Sequence, residues 1–375
     1  MGRDGPVLVI NAGSSSVKYA LFDGGLNEIL AGSVEIAPED SAWPRAGAKR
    51  PPGGAAGRCP AVPPDMSPDH AQALARILAR LEDKALPVSA LAGAAHRVVH
   101  GGARLTAPCR ITPETLAGIR ACIPLAPLHN PHNLAAVEAL AALAPDLPQF
   151  ASFDTAFHAT NPPVARRFAI PEYLHKSNIR RFGFHGISYR ALVDDFPAPL
   201  PERLLALHLG NGASICAIRK GRSVATTMGC SPLDGLTMGT RPGSLDAGAV
   251  LEIVARLGLE EARDMLNRRS GLLALSGIGA DMRALLDSDA PEAAFAVEHF
   301  CYWAARHAGS MIAAMQGVDA IAFTGGIGEN AEPVRARILE LLAWTGVARE
   351  NIHVIPAREE RRIAADALQL MRGDA

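Results

Sequence analysis

Short apolar runs separated by glycine-rich turns recur along the chain, and two stretches far apart are laid out alike. Leu204–Leu207 predicts a buried strand and Ile215–Ile218 its return, with His208-Leu209-Gly210-Asn211-Gly212-Ala213-Ser214 between them and a further turn at Lys220-Gly221. Near the start, Val7–Ile10 precedes Asn11-Ala12-Gly13-Ser14-Ser15-Ser16, and Val17–Phe22 follows as a strand turned at Asp23-Gly24-Gly25. In both stretches a polar residue (Asn11, His208) ends the apolar run and a glycine (Gly13, Gly210) stands two positions later, at an offset of 197 positions. A second echo keeps the same order: VVHGG at Val98–Gly102 and AFTGG at Ala322–Gly326, 224 positions apart. Repetition over about half the chain predicts a duplicated α/β domain.

The intervening segments read as helices and loops. Ser67-Pro68-Asp69 opens a helix whose buried face is Ala71, Leu74, Ile77, Leu78 and Leu81. Leu91–Val99 reads as a strand, Thr112-Pro113-Glu114 opens a helix, and Asn133–Leu143 is a helix ended by Pro145. Ile123–His132, with three prolines, reads as irregular. Pro291–Gln316 is a long helix with Phe295, Phe300, Trp303, Met311 and Met315, apolar enough for burial in a domain or a subunit interface. Asp319–Phe323 predicts a strand, Thr324–Asn330 its glycine-rich turn, and Glu332–Trp344 a helix. A final helix starts near Arg361. Between Pro38 and Pro68 the chain turns to Pro, Gly, Ala and Arg, an exposed excursion without chemistry.

Composition narrows the classes. A chain of 375 residues with 49% apolar content predicts two domains with sizeable cores. The net charge of −1 does not suggest a nucleic-acid-binding surface. The six cysteines show neither CxxC nor metal-ligand spacing and read as reduced thiols. No run is long enough for a membrane span and no signal pattern opens the chain, so a cytoplasmic protein is expected.

Candidate chemistry lies at the ends of the predicted strands. A Gly-Asn-Gly turn leaves backbone N–H groups open to a phosphate, although the same residues also make a plain hairpin turn. Arg97, inside an apolar strand, needs an anion or an acidic partner. Asp154 ends the run Phe150–Phe157, where open α/β proteins keep a magnesium-linked or catalytic carboxylate. His185 sits among aromatics, as a core histidine or a catalyst. Arg241 lies in the long loop Ser231–Gly248. His129 and His132 have HxxH spacing without a third ligand, which argues against zinc. There is no GxxxxGK[ST], GxGxxG or GxSxG. The remaining pattern suits a phosphorylated ligand held in a cleft between two related halves.

These residues resemble the acetate kinase family, with motifs in family order along nearly the whole chain. They are NAGSSSVKY at Asn11–Tyr19, HRVVHGG at His96–Gly102, PLHNP at Pro127–Pro131 and FDTAFH at Phe153–His158. RRFGFHG at Arg180–Gly186, HLGNGAS at His208–Ser214, MGTRPG at Met238–Gly243 and FTGGIGEN at Phe323–Asn330 complete the set. The resemblance implies the acetate and sugar kinase/actin superfamily, with two duplicated ribonuclease-H-like domains and an interdomain cleft. Residues 1–152 with 360–375 would form the first domain and 153–359 the second, through which a homodimer forms.

The implied reaction is phosphoryl transfer between ATP and acetate or another short-chain carboxylate such as propionate. A non-catalytic ATP switch of the same superfamily is the alternative. By residue, the resemblance implies Asp154, His185 and Arg241 as catalytic, and Arg97 and His129 as substrate-binding. ATP would be held by Lys18, by His208, Leu209, Gly210, Asn211 and Gly212, by Asp281, Met282 and Arg283, and by Gly326, Ile327, Gly328, Glu329 and Asn330. Asn11 and Glu359 would serve a bound Mg2+, with Mn2+ as its substitute. Neither nucleic acid nor membrane is an expected partner. Two segments depart from the family pattern beside the site: Gly186-Ile187-Ser188-Tyr189, where GTSH is usual, and Arg241–Ala247.

Overall fold

The computed structural model describes residues 5–36 and 68–373. The Pro38–Pro68 excursion and the Ser67 cap lie outside the described residues, except for Pro68, which opens the Pro68–Asp83 helix. The chain folds as two compact units. One comprises residues up to Phe153 together with those from Glu360 onward, and the other is Asp154–Glu359.

The first unit is built on six strands: β1 Val7–Ala12, β2 Ser16–Phe22, β3 Glu28–Glu35, β4 Gly93–Val98, β5 Cys109–Arg110 and β6 Gln149–Phe153. Their order is β3-β2-β1-β4-β6-β5, with β1–β2 and β2–β3 antiparallel and β1–β4 and β4–β6 parallel. The second unit has β7 Arg203–Leu209, β8 Ala213–Arg219, β9 Arg222–Thr226, β10 Ala320–Thr324 and β11 Ile352–Val354. Its order β9-β8-β7-β10-β11 repeats the first sheet from the corresponding edge, with the same strand directions. The leading hairpins turn through short glycine-led loops, Gly13–Ser16 inside the Ala12–Val17 pair and Gly210–Gly212 inside the Leu209–Ala213 pair. The duplication foreseen from the echoed loops is therefore a duplication of topology, and the fold is mixed α/β.

In the first sheet, Leu8, Ile10, Val17, Leu21 and Ala94 pack with residues of the Pro68–Asp83 and Asn130–Leu143 helices. Period-2 alternation sends Asn11, Lys18 and Arg97 to the other face. There Ser152 donates to Asp366 of the Glu359–Arg372 helix at 2.7 Å. In the second unit the hairpin core of Leu204, Ala206, Cys216 and Ile218 packs with Tyr189 and Leu192.

Several boundaries differ from expectation for physical reasons. The helix expected from Asn133 begins at Asn130, because Pro131 falls in its first turn, where proline is accommodated. Residues Gly325–Asn330, expected as a turn, form a short helix. Side chains hold it: Glu329 accepts from Gly325 N, Asn330 donates to Gly326 O, and Arg335 donates to the carbonyls of Gly328 and Glu329. The next helix stops at Leu341, before a 3-10 turn at Ala343–Thr345, and the last begins at Glu359. On the Pro291–Met315 helix Phe300 and Met315 are buried, whereas Phe295 is 58% exposed.

Two buried histidines make stability depend on pH. His96 donates to Gln149 Oε1 at 2.7 Å, and His158 to the Phe184 carbonyl at 2.9 Å. Burial depresses both from 6.5 to about 4. Their neutral forms belong to the folded state, so their stabilisation is complete above pH 6.5 and is lost as pH falls toward 4. The loss reaches about 2 kcal/mol each by pH 5. Burial lowers His70, His132, His299 and His307 in the same direction. Calorimetric melts from pH 8 to pH 5 should show Tm falling from about pH 6.5 downward, and a flat profile would contradict these assignments.

Candidate active site

The hairpin β7–β8 sets the site in the second unit. Its turn is closed by Gly210 N donating to the Gly212 carbonyl at 3.1 Å, which leaves no side chain at either glycine to fill the space above it. A Cβ at Gly212 would lie 2.7 Å from Arg241 Nη2 and 3.3 Å from His185 Nε2, so glycine is what lets both groups approach. The Arg241 loop docks on the same turn, as Gly239 N donates to the Asn211 carbonyl and a Cβ at Gly239 would collide with Asn211 Oδ1. The loop is pinned at its start by Asp234, which pairs with Arg181 at 2.9 Å and accepts from Ser244 at 2.7 Å.

Arg241 donates to the Pro232 carbonyl at 2.8 Å, and among the described residues no carboxylate pairs with it. Burial pulls its guanidinium down to about 10, so it remains charged at pH 7. A desolvated, unneutralised cation is a strong demand for an anion.

His185 caps the Gly186–Asp194 helix with φ +57, in the left-handed region where a residue with a Cβ is strained. Three contacts hold it there. Gly186 N donates to the Asp154 carbonyl at 2.8 Å, His158 fixes the Phe184 carbonyl, and His185 Nδ1 lies 2.8 Å from Ser214 Oγ. The His185 ring stacks on that of His208 with centroids 4.2 Å apart, and His208 Nδ1 lies 2.8 Å from Ser188 Oγ. Asp154, the first residue of this unit, is almost wholly buried.

His185, Arg241, His208, Asn211 and Gly212 therefore come together, as expected from the sequence. Leu209 and Met282 are core side chains and offer a ligand only their backbone. Glu329 directs its carboxylate at the amides of Gly325 and Ala357, so its role is to hold the short helix against the loop before Arg358. Asp281 caps the Met282–Leu286 helix by accepting from Arg283 N, and Arg283 is exposed. Ile327, Gly328 and Asn330 sit on the short helix, and Glu359 opens the last one.

In the first unit Asn11 pairs across the hairpin with Lys18, and Ile10–His96 pairing brings Arg97 alongside Asn11, with Nη1 3.5 Å from Asn11 Oδ1. Lys18, Asn11 and Arg97 thus form one row across three strands. The loops beyond β1 and β4 are braced by asparagines. Asn133 donates to the Ala12 carbonyl and accepts from Val99 N, while Asn130 accepts from His100 N. His132 stacks on His70, and His129 precedes the Asn130–Leu143 helix.

Sequence reasoning assigned no role to Ser188, Tyr189 or Ser214, the groups behind the two stacked imidazoles. The available signal was parity: Ser214 stands two residues beyond Gly212 on one strand face, and Tyr189 one helical turn beyond His185.

The sequence profile of the Acetokinase family matches residues 6–368. The chain belongs to the acetokinase family. The acetate kinase of Rhodopseudomonas palustris (strain ATCC BAA-98 / CGA009) is 45% identical over 356 residues, 91% of this chain and 87% of the relative. The crystal structure of Porphyromonas gingivalis acetate kinase has a TM-score of 0.83 at 31% identity, covering 98% of this chain and 100% of that one. A propionate kinase from Francisella tularensis subsp. tularensis SCHU S4 also gives 0.83 at 31% identity, covering 96% and 98%. Membership in the acetokinases, phosphotransferases with a carboxyl acceptor, agrees with the motifs and with the repeated α/β topology.

Substituting Gly212→Ala is expected to displace the Arg241 and His185 tips without disturbing the hairpin core. Acetokinase activity should fall at least about tenfold, with Tm nearly unchanged. Full activity in the folded variant would refute the close approach.

Proposed function

We propose that this protein is an acetate kinase, catalysing reversible transfer of the γ-phosphoryl group of ATP to acetate with formation of acetyl phosphate and ADP. Family membership supports the reaction class. In the structure, the observation that carries it is Arg241, a charged guanidinium without a carboxylate partner among the described residues, meeting His185 beside Gly212.

A carboxylate oxygen of acetate attacks the γ-phosphorus. The bond to the β–γ bridging oxygen breaks, and its electron pair leaves on ADP. Acetate is already ionised at pH 7, so the attack needs no general base. Catalysis is then mostly positioning and charge neutralisation. Arg97 and His129 hold the acetate carboxylate, and Arg241 and His185 face the equatorial oxygens of the transferring group. Asp154 orients its neighbours rather than moving a proton, because the reaction transfers none. The backbone of His208–Gly212, the Asp281–Arg283 and Gly326–Asn330 segments and Lys18 hold the nucleotide.

The donors proposed for Mg2+ are hard oxygens. Asn11 Oδ1 accepts a long contact from Arg97 at 3.5 Å, and Glu359 contributes a carboxylate. Among the described residues no group of three or more His, Cys, Asp or Glu forms a protein cage. An ion that arrives with ATP and takes one or two protein ligands suits that set. When bound it neutralises phosphate charge.

No helix among the described residues is long and apolar enough to cross a membrane. The exposed Leu251, Phe295 and Tyr302 of the second unit support a homodimer built through it. Propionate is the second substrate to consider, given the propionate kinase among the similar structures. One methylene is worth only about 1–3 kcal/mol of discrimination.

Trapping acyl phosphate with hydroxylamine, using acetate, propionate and butyrate in turn, tests the reading. Product is expected with acetate in an ATP-dependent reaction, and Arg97→Ala should raise the acetate KM about tenfold or more while changing that for ATP far less. No hydroxamate with any of the three acids would favour the ATP-switch alternative, and an unchanged acetate KM would remove Arg97 as the clamp.

A further inference from the structure

Behind the His185 ring lies a buried chain of two hydroxyls. Tyr189 and Ser214 are both fully buried. The Tyr189 hydroxyl is 2.6 Å from Ser214 Oγ, which is 2.8 Å from His185 Nδ1. Each hydroxyl carries one proton, and a buried O–H without an acceptor is costly.

Among the described residues the Tyr189 O–H has one side-chain hydrogen-bond partner, Ser214 Oγ, so the phenol proton is assigned to that contact. Ser214, having accepted, gives its own proton to its other partner, His185 Nδ1. The imidazole proton must then sit on Nε2, the atom that faces the space beside Gly212 together with Arg241 Nη2.

We infer that Tyr189 is a positioning residue for His185, holding it through Ser214 as a neutral imidazole with Nδ1 accepting and Nε2–H donating. This rests on the proposed role of His185 at the transferring phosphoryl group. A protonated His185 would reverse the chain. Nδ1–H would donate to Ser214, Ser214 would donate to Tyr189, and the phenol proton would lose Ser214 Oγ, its one side-chain hydrogen-bond acceptor among the described residues. The stacked His208 ring and the Arg241 guanidinium, both facing His185, oppose a second positive charge as well. Burial raises the Tyr189 phenol well above its usual 10, so its proton is always available to start the chain. The same helix also supplies Ser188 to His208 Nδ1, so the two stacked rings are steadied by neighbouring residues of one element.

The test combines histidine ring 15N NMR with kinetics on the full-length protein, the His185 signals being assigned by their loss in His185→Gln. In the unsubstituted protein at pH 7 the account predicts an unprotonated Nδ1 and a protonated Nε2. Tyr189→Phe removes one oxygen, should move those signals toward an average of the two tautomers, and should lower kcat about tenfold with both KM values within about twofold. Ser214→Ala cuts the second link and serves if Tyr189→Phe does not fold. A protonated Nδ1 in the unsubstituted protein, or unmoved ring signals in folded Tyr189→Phe, overturns the relay. Signals that shift while kcat stays constant support the relay and instead overturn the catalytic role of His185. Loss of kcat in His185→Gln alongside unmoved signals in Tyr189→Phe keeps that role and overturns the relay.

Discussion

A guanidinium, two stacked imidazoles and a three-residue turn share one small volume in the second unit, and the missing side chain at Gly212 is the condition for it. A methyl group there would lie 2.7 Å from Arg241 Nη2, which would have to shift, and 3.3 Å from His185 Nε2, a tight contact. Neighbouring glycines obey the same constraint. Gly239 lets Asn211 close on the Arg241 loop, and Gly271, with φ +65, lets a helix start against the carbonyls of Met238 and Arg241. The site is shaped by backbone approach first, and side-chain chemistry occupies the room that remains.

The same sheet topology serves two kinds of electrostatics. In the first unit, cross-strand alignment sets Lys18, Asn11 and Arg97 in one polar row, with Asn11 beside the guanidinium. In the second unit, Arg241 lacks a carboxylate among the described residues and is held by a carbonyl, at the cost of desolvation. A charge kept in that condition interacts strongly with phosphoryl oxygens because no acid among the described residues competes for it. Contacts of that type are worth about 3 kcal/mol or more in a transition state.

Much of this was legible in the sequence because the duplicated loops carry their own punctuation. Asn11–Ser16 and His208–Ser214 mark corresponding hairpin turns, and VVHGG and AFTGG mark the ends of corresponding strands. What stayed hidden depends on tertiary contacts. Gly325–Asn330 reads as a turn by composition but is helical because Glu329, Asn330 and Arg335 satisfy its backbone. Hydrophobicity leaves Phe295 open to burial in a domain or in a subunit interface, and it is exposed on this chain, since periodicity along a 25-residue helix does not say how much of its circumference the domain covers. The Tyr189–Ser214 pair joins a helix to a strand, so no local pattern announces it. Glu329 belongs to a glycine-rich motif, but its position on two backbone amides follows from the packing of that short helix.

We propose that the space beside Gly212 stabilises charge on a phosphoryl group in flight. Binding of a planar or octahedral aluminium fluoride, a mimic of that group, tests it directly by 19F NMR with ADP, Mg2+ and acetate present. A bound fluoride signal is expected only when ADP and acetate are both added, and it should vanish in folded Arg241→Ala. A bound signal that forms without acetate, or survives intact in Arg241→Ala, would contradict the account.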